Sequence, residues 1–273
     1  MKEIDDRFGG IARLYGVANY RLLRQARVAI VGIGGVGSWV AESLARSGVG
    51  TIILMDMDDL CITNTNRQIH AMSSTLGQMK VEVMAQRIKD ISLETELICL
   101  SSFYTAKNCE QLFEMHPDLV VDAIDAMEPK AHLIATCHER NIDVVTCGGA
   151  GGRTDASLIK IADITKTQGD PLLISLRRKL RQNYGMSFGE NAKDLGIPCV
   201  FSREKAVYPT CDGGTSCSRD DGFTGRMACD AGFGSITHIT GTFGFFMAGA
   251  AIHQILTHQQ SQQSQQSQQP NKE

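Results

Sequence analysis

The sequence has little net charge and no excess of one sign. Its 273 residues include 27 Lys and Arg against 30 Asp and Glu, which gives a formal net charge of −3 at pH 7. A chain that binds nucleic acid through its overall charge is strongly basic. The composition therefore excludes binding by net charge alone, and any nucleic-acid site has to be a local basic patch.

The sequence also lacks a long apolar run and an apolar N-terminal segment. Its charged start predicts that there is no signal peptide. The most apolar stretch, 231–256, is broken by Ser, Thr and His, and its continuous part (243–252) is too short to cross a bilayer. We interpret 231–256 as a buried helix and only a weak membrane candidate. Nine scattered cysteines, an odd number, favour a reducing compartment, so we expect a cytoplasmic protein.

A glycine turn after an apolar strand is the most informative pattern that the sequence does contain. The strand covers 27–31, and the turn opens a helix over 36–47. Glycine lets the backbone bend tightly and approach a phosphate, while the helix N-terminus offers free N–H groups to the anion. Asp56 stands about 20 residues downstream, where a nucleotide-binding turn has its acid. The glycines are Gly32, Gly34, Gly35 and Gly37.

Strand and helix signals alternate through the first half of the chain. This alternation predicts an α/β fold with a Rossmann-like, mostly parallel sheet flanked by helices. A second glycine cluster, 148–152, ends the last of these strands, where the ligand crevice of such a sheet lies. The predicted strands are 27–31, 51–55, 97–103, 119–124 and 142–147, and the predicted helices are 36–47, 81–91, 106–115 and 128–140.

The second half is less regular and gives the fold a loop-rich C-terminal portion. We predict a strand at 157–165 and a helix at 172–183, then mostly loop with one or two short strands over 184–234. The Gln/Ser-rich tail is predicted to be disordered because it has nothing to bury. The expected organisation is a single domain (1–257) with a nucleotide-binding half (1–150) and a substrate-contacting half (151–257), followed by the tail (258–273).

Three charged residues follow the glycine turn in a pattern that a dinucleotide site does not need. We interpret Arg67, Lys80 and Asp125 as catalytic residues of an ATP site. Cations neutralise the charge of the β- and γ-phosphates, and a carboxylate holds the Mg²⁺ that makes pyrophosphate a better leaving group. Each has a plainer alternative when taken alone: a surface charge for Arg67 or Lys80, and a helix N-cap for Asp125.

Five motifs in order resemble the ubiquitin-activating-enzyme-like superfamily of MoeB/ThiF type. Members of that superfamily attach AMP to a carboxylate with ATP and Mg²⁺, so the resemblance implies the same cofactors here. The motifs are Gly32-Ile-Gly-Gly-Val-Gly37, Asp56-Met-Asp58, Asn66-Arg67-Gln68, Gly77-Gln-Met-Lys80 and Asp122-Ala-Ile-Asp125.

The resemblance implies a role for each matched residue. Gly34 and Gly35 would lie against the phosphates. Asp56 would bind the ribose, and Asp58 would face the phosphate or metal region. Asp125 would hold the Mg²⁺. The implied ligands of the triphosphate are Asn66, Arg67 and Lys80.

Motifs in the second half narrow the resemblance to the bacterial tRNA threonylcarbamoyladenosine dehydratases. This family implies that ATP adenylates the threonine carboxylate of the modified nucleoside beside the anticodon. A ureido nitrogen then closes a ring with net loss of water. The motifs are Asp170-Pro-Leu, Leu176-Arg-Arg-Lys-Leu-Arg181, Cys199-Val-Phe-Ser, Val207-Tyr-Pro209 and Phe233-Gly with Thr242-Phe-Gly.

Partners follow from the same resemblance. A basic helix face could track tRNA phosphates, although a solvated helix face is the plainer alternative. The superfamily implies a homodimer in which an N-terminal arginine enters the neighbouring ATP site. Gly10 occupies that position here, so Arg7 or Arg13 is the nearest substitute. The tRNA-binding candidates on the helix are Arg177, Arg178, Lys179 and Arg181.

Cysteine usage separates this chain from related families. Many protein-activating relatives carry Cys-x-x-Cys pairs that bind zinc, and this sequence has none, so we predict no structural zinc. Cys211, Cys217 and Cys229 lie in the loop-rich region, and Cys229 is a candidate for a chemical role; a packed or loop thiol is the preferred interpretation. The resemblance also makes a cysteine desulfurase or another sulfur-acceptor protein a possible partner.

Two further enzyme classes and one adaptor class remain as alternatives. An adenylating enzyme for a small sulfur-carrier protein shares the ATP site but normally has the zinc cysteines. An NAD-dependent oxidoreductase explains Asp56 and the glycines and leaves Arg67, Lys80 and Asp125 unused. A non-catalytic sulfur-relay adaptor is the third alternative.

Overall fold

The computed structural model describes residues 5–189, 192–210, 213–217 and 233–266, with side chains up to 257. Cys211 and Cys229, discussed above, lie outside the described residues. Seven strands form one sheet in the order β3-β2-β1-β4-β5-β7-β6. Every neighbouring pair is parallel except β6 with β7. The predicted Rossmann-like, mostly parallel sheet is confirmed.

The central strands form because they are continuous apolar runs, which suits a sheet covered on both faces. β2 is buried at all five positions, and β4 at all four. From β1 the chain adds β2 and β3 on one side of the sheet, and it then adds β4 and β5 on the other side. This reversal between β1 and β4 opens a crevice at their carboxyl ends. The strands are β1 (Arg27–Val31), β2 (Thr51–Met55), β3 (Glu96–Leu100), β4 (Leu119–Asp122), β5 (Asp143–Cys147), β6 (Ile159–Asp163), β7 (Pro198–Ser202), β8 (Tyr208–Pro209) and β9 (Thr215–Ser216).

Helices cover both faces of the sheet. Buried residues of α2, α3, α4 and α8 make the core on one face, and those of α5, α6 and α7 make the core on the other. α1 and α2, at the N-terminus, were not predicted. The helices are α1 (Gly9–Tyr15), α2 (Val17–Gln25), α3 (Gly37–Arg46), α4 (Lys80–Ile91), α5 (Glu110–Phe113), α6 (Met127–Glu139), α7 (Pro171–Tyr184) and α8 (Thr237–Gln266).

Several predicted elements differ in extent from the structure. The helix predicted over 106–115 is only α5, because the Asn108 side chain accepts hydrogen bonds from the Thr105 amide and hydroxyl and holds a turn there. The strand predicted over 157–165 begins later, after a 3₁₀ turn capped by Asp155. The strand predicted over 97–103 ends at Leu100.

Helix α8 occupies the segment that we interpreted as a buried helix. Its stretch Thr237–Thr257 is long and apolar enough to cross a membrane, but 67% of that window is buried inside the protein. It packs against α3 so closely that a Cβ on Gly244 would lie 2.6 Å from the Cβ of Trp39. The helix continues to Gln266, so the first part of the tail predicted to be disordered is helical.

Candidate nucleotide site and its surroundings

The glycine turn touches the loop that follows β4. Gly32 has φ +92°, and a Cβ there would lie 2.8 Å from the carbonyl oxygen of Ala123. A Cβ on Gly37 would lie 1.8 Å from the carbonyl oxygen of Gly32. Gly34 has no described atom within 4 Å of where its Cβ would be. The turn is therefore closed on the protein side and open on the crevice side, at Gly34.

Asp56 braces this turn from the end of β2. Its Oδ2 accepts a hydrogen bond from the Ile33 amide at 2.7 Å, and its Oδ1 accepts one from the Asp58 amide at 2.9 Å. The side chain is buried, which makes these bonds strong anchors. Each carboxylate oxygen keeps a further lone pair, so the same group can still accept a ligand hydroxyl.

Lys80 and Asp58 form a pair beside this acid. The ammonium nitrogen of Lys80 lies 2.7 Å from Oδ2 of Asp58. Lys80 is the first residue of α4 and is buried, whereas about half of the Asp58 side chain is exposed. The carboxylate thus holds the ammonium group at the edge of the crevice, and the two predicted residues are brought together.

Arg67 lies across the glycine turn. Its Cδ is 3.3 Å from where the Cβ of Gly35 would be, so its aliphatic stem rests on that glycine. One guanidinium nitrogen donates to the Thr63 carbonyl at 2.6 Å and to Oδ1 of Asn66 at 3.1 Å. The other guanidinium N–H groups have no partner among the described residues, which leaves donors available for an anion.

The backbone of Asn66 and Arg67 is fixed by side chains that the sequence patterns did not single out. Trp39 Nε1 donates to the Arg67 carbonyl at 3.0 Å, and the Thr240 hydroxyl donates to the same oxygen at 3.2 Å. The Thr237 hydroxyl donates to the Asn66 carbonyl at 2.5 Å. Two of these donors come from α8, so the last helix of the fold helps to shape the nucleotide site.

Two acids, at the end of β4 and in the loop that follows it, lie in opposite environments. Asp125 is exposed and has no hydrogen-bond or ion-pair partner among the described residues. Asp122 is fully buried, pairs with the equally buried Lys130 at 2.8 Å and accepts a hydrogen bond from the Thr146 hydroxyl at 2.6 Å. Of the two, only Asp125 is free to meet a ligand.

Lys130 was missed by sequence reasoning, since a lysine in an amphipathic helix normally faces solvent. Burial by itself lowers the pKa of Lys130, but the adjacent Asp122 carboxylate outweighs it and the pKa is raised, so the ammonium stays charged. Its Nζ also donates to the Ile124 carbonyl at 3.0 Å, and Asp122 accepts from the Ile124 amide at 3.1 Å. The buried pair therefore holds both peptide groups of Ile124, next to Asp125.

The second glycine cluster is filled by the protein itself. A Cβ on Gly148 would lie 2.5 Å from Oδ2 of Asp170, whose carboxylate also accepts the Gly149 amide at 3.0 Å. A Cβ on Gly152 would lie 2.7 Å from the Val207 carbonyl oxygen and 2.9 Å from the Phe233 ring. These glycines allow close packing of neighbouring segments, a reason for glycine that does not need a ligand.

The basic helix α7 presents only part of its charge to solvent. Arg177 donates to the Thr167 carbonyl at 2.6 Å, and Lys179 pairs with Glu128 of α6. Arg178 and Arg181 are exposed and have no partner among the described residues. Together with Arg177 they line a cavity of about 550 Å³ between α7 and the segment around Lys166.

Comparison with known proteins places the chain in a family. Residues 10–272 match the model of the ThiF family. The chain belongs to the ThiF family. The superfamily resemblance drawn from the five motifs is confirmed. The resemblance to the tRNA threonylcarbamoyladenosine dehydratases is confirmed as well, because relatives of high identity carry that name.

Two of the most similar ThiF-family sequences and one solved structure have that name. The tRNA threonylcarbamoyladenosine dehydratase of Escherichia coli (strain K12) is 46% identical over 258 residues, covering 94% of this chain and 96% of the relative. The protein of the same name from Haemophilus influenzae is 46% identical over 253 residues, covering 92% and 94%. A crystal structure of the E. coli tRNA N6-threonylcarbamoyladenosine dehydratase in complex with ATP is 43% identical, with TM-score 0.83, and covers 95% of this chain and 99% of that one.

The two N-terminal arginines of this ThiF-family chain, the candidates for the neighbouring ATP site, differ in whether they form an ion pair. The Arg7 guanidinium donates to Asp5 at 3.1 Å, and Asp5 caps the turn that precedes α1 by accepting from the Arg7 amide. Arg13 is exposed on α1, and its guanidinium lies beside Gly9, 3.4 Å from where a Cβ would be. Of the two candidates, Arg13 is the one without an ion-pair partner among the described residues.

His70 is a buried residue near the cationic side of the nucleotide site. It is fully buried, and neither ring nitrogen has a hydrogen-bond partner within the described part of the chain. Burial, together with the nearby cations Lys80 and Arg87, lowers its pKa to about 4. The neutral ring is therefore the form that the fold accommodates.

Proposed function

We propose that this chain is an ATP-dependent dehydratase that cyclises threonylcarbamoyladenosine next to the anticodon of tRNA. The observation that carries the proposal is the crevice itself. An open glycine turn, Arg67 guanidinium donors and the Asp125 carboxylate, the latter two without a partner among the described residues, meet at the carboxyl ends of β1 and β4. The names of relatives that match nearly the whole chain, one of them in complex with ATP, support the same function.

The nucleotide would lie along the glycine turn. The open side at Gly34 leaves room for a phosphate, and the stem of Arg67 over Gly35 directs its remaining donors towards that room. Lys80, held by Asp58, adds a second cation, and these charges would stabilise the negative charge that moves onto pyrophosphate. The proposed ATP-binding set is Gly32, Gly34, Gly35, Gly37, Asp56, Asp58, Asn66, Arg67, Lys80 and Asp125.

Mg²⁺ fits the donors that this crevice offers. Mg²⁺ prefers oxygen ligands and commonly binds through one or two carboxylates together with phosphate oxygens and water. Asp125 is an exposed carboxylate with no described partner, held by a loop whose neighbouring peptide is fixed by Lys130. When bound, the metal supplies charge neutralisation at the leaving pyrophosphate.

The proposed reaction has two steps, and the chain positions both. The threonine carboxylate oxygen attacks the α-phosphorus of ATP, and pyrophosphate leaves. The ureido nitrogen then attacks the acyl carbon, AMP leaves with the carboxylate oxygen, and the nitrogen loses its proton to water. The nucleophile belongs to the substrate, so holding it near the activated carbon supplies much of the rate.

We propose tRNA as the macromolecular substrate, contacted by α7. Arg178 and Arg181 are exposed cations without a partner in the described part of the chain, while Arg177 and Lys179 are held by a carbonyl and by Glu128. Arg178→Glu together with Arg181→Glu should weaken tRNA binding and leave ATP binding intact. An unchanged tRNA affinity, measured by filter binding at fixed salt, would make α7 a solvated face only.

We also propose a cytoplasmic homodimer in which Arg13 serves the neighbouring ATP site. Its exposed guanidinium, which has no ion-pair partner within the described ranges, supports this choice over Arg7. A sulfur-acceptor or cysteine desulfurase partner remains a proposal from family resemblance. Light scattering of the purified chain tests the dimer. A mixture of Arg13→Ala and Asp125→Ala subunits tests the shared site. In a mixed dimer one site would lack both residues and the other would have both, so activity should return on mixing.

Mass spectrometry of tRNA nucleosides tests the function directly. The purified chain, Mg·ATP and tRNA that carries threonylcarbamoyladenosine should give the dehydrated nucleoside and AMP. Asp125→Ala should abolish this turnover, whereas Asp90→Ala, at an exposed carboxylate near the end of α4, should not. Failure of the wild-type chain to dehydrate the nucleoside would reject the function.

A thermal shift experiment separates this proposal from an NAD-dependent oxidoreductase. A ligand that binds the native state raises its melting temperature. Mg·ATP should stabilise the chain and NAD should not. The opposite pattern would favour the oxidoreductase and leave Arg67, Lys80 and Asp125 without a role.

A further inference from the structure

Two aromatic side chains form a pair above the second glycine cluster, outside the residues assigned so far. The ring centroids of Tyr208 and Phe233 lie 4.9 Å apart, with an angle of 46° between their planes. Phe233 is 48% exposed, and Tyr208 is partly exposed. An aromatic ring that is half exposed on a folded surface is available to stack with a planar ligand.

Gly152 holds both aromatic residues in place. Its amide donates to the Gly234 carbonyl at 2.7 Å, and its carbonyl accepts from the Val207 amide at 2.8 Å. These partners are the immediate neighbours of Phe233 and Tyr208 in the chain. Because Gly152 has φ +69° and no room for a Cβ, only glycine allows this double attachment. The aromatic pair is thus fixed by backbone contacts on both sides.

The pair lies next to the nucleotide site. The side-chain amide of Asn66 donates to the carbonyl of Ser235, two residues after Phe233, at 2.8 Å. The hydroxyl of Thr237 donates back to the Asn66 carbonyl. The segment that carries Phe233 is therefore tied on one side to a proposed ATP ligand and on the other to the glycine cluster that follows β5.

Positive charge accompanies the aromatic pair. Arg203 and Lys205, just before Tyr208, are exposed and have no side-chain partner among the described residues. Glu204 between them is turned away, since its carboxylate accepts from the Thr154 and Asp155 amides. Exposed cations beside aromatic rings are the combination that binds single-stranded nucleic acid, in which phosphates meet the cations and bases stack on the rings.

We propose that Tyr208 and Phe233 form a stacking platform for an unpaired nucleobase of the RNA substrate. This inference rests on the proposed function and adds to it a site for the base, separate from the phosphate contacts of α7. A base held there lies beside the crevice, so the threonylcarbamoyl group on the base can bring its carboxylate to the nucleotide. A peptide carrier would need no aromatic platform with flanking cations.

Ring removal at both positions tests the platform. Phe233→Leu and Tyr208→Leu should each raise the KM for tRNA about tenfold, which corresponds to the weaker half of the range for loss of one stacked base. Tyr208→Phe keeps the ring and should retain wild-type KM. The melting-temperature shift with Mg·ATP should not change in any of these variants. Phe246→Leu, at another partly exposed aromatic on α8, is the matched control.

The possible outcomes separate the platform from other roles. An unchanged KM for tRNA in both leucine variants overturns the inference, even if the wild-type chain dehydrates the nucleoside. A change of oligomeric state in the leucine variants, seen by light scattering, also overturns it and assigns the pair to a subunit contact. If the chain forms no dehydrated nucleoside but its tRNA affinity, measured by filter binding, falls in the leucine variants, that result would support the platform and reject the proposed function.

Discussion

The two glycine clusters of this chain follow β1 and β5 of the same sheet, yet their glycines face different surroundings. The first, after β1, is closed against the Ala123 carbonyl on one side and open at Gly34 on the other. The second, after β5, is occupied by Asp170, Val207 and Phe233 of the chain itself. A run of glycines at a strand end therefore indicates close approach, and only the surrounding atoms decide whether a ligand or the protein makes that approach.

The largest effect is expected where the first cluster meets its own backbone. A Cβ on Gly37 would overlap the Gly32 carbonyl oxygen at 1.8 Å, and neither atom belongs to a flexible side chain. Gly37→Ala should cost about 5 kcal/mol of folding free energy, near the extreme for single substitutions. Chemical denaturation measures this, with Gly189→Ala as a control because no described atom crowds that glycine. A stable Gly37→Ala variant would show that the turn can shift as a whole.

The next largest loss of folding stability is expected when the buried charge of Lys130 is removed. Lys130→Met leaves the buried Asp122 carboxylate without its partner, and such losses cost about 3–5 kcal/mol. The exposed Lys107→Met is the matched control. Because Lys130 also fixes the Ile124 peptide, the variant should need more Mg²⁺ for half-maximal activity. An unchanged Mg²⁺ requirement would limit Lys130 to a role in stability.

The second cluster should respond more mildly to the same kind of change. Ala at Gly152 must adopt a left-handed backbone, which costs about 1–2 kcal/mol, and it must also displace the Phe233 ring or the Val207 carbonyl. We expect Gly152→Ala to lose about 2–3 kcal/mol of stability, with the Mg·ATP melting shift retained. Loss of that shift would mean that the two clusters are not independent.

Acidic pH should lower the free energy of unfolding through His70, which lies near the cationic side of the nucleotide site. The pKa of His70 is lowered to about 4 in the folded state, from an ordinary value of 6.5. The unfolded chain therefore binds the proton first as the pH falls, so this contribution is complete above pH 6.5 and is lost towards pH 4. Between pH 7 and pH 5 the loss should be about 2 kcal/mol. Urea unfolding of His70→Gln, which does not titrate, should lack this part of the pH dependence.

The smallest effect on folding is expected at the open glycine. Gly34→Ala places a methyl group in free space, so its stability should stay within about 0.5 kcal/mol of the wild type. If a phosphate approaches this position, the methyl group should weaken ATP binding about tenfold, or about 1.4 kcal/mol. Calorimetric titration with Mg·ATP checks it. Wild-type affinity in this variant would place the phosphates elsewhere in the crevice.

Local pattern predicted the elements that are long or continuously apolar. The run 119–124 could be read as a buried strand because nothing polar interrupts it before Asp122, and the period of apolar residues in 81–91 identified α4. The short helices α1 and α2 were missed, since each spans few turns and α1 begins with two glycines. The position of β7 between β5 and β6 was also hidden, because a pairing across tens of residues leaves no local signal.

The same limit applies to the candidate site. Motif spacing identified the glycines, Asp56 and Arg67, because each follows directly from the chain near β1 and β2. Trp39 and Thr240, which fix the Arg67 carbonyl, could not be identified, since one lies in the first turn of α3 and the other is 173 residues from Arg67 in sequence. Nor could the burial of Lys130, which depends on the surrounding sheet and not on its helix alone.

The docking of α8 on α3 has a consequence for synthesis on the ribosome. The helix that carries Thr237 and Thr240 leaves the exit tunnel after every strand of the sheet, and it completes the backbone supports of Asn66 and Arg67. A nascent chain with its first sheet strands already paired therefore still lacks these supports. Its capacity to retain a nucleotide should arise only when α8 has docked, and polypeptides interrupted before α8 should not sequester cellular ATP.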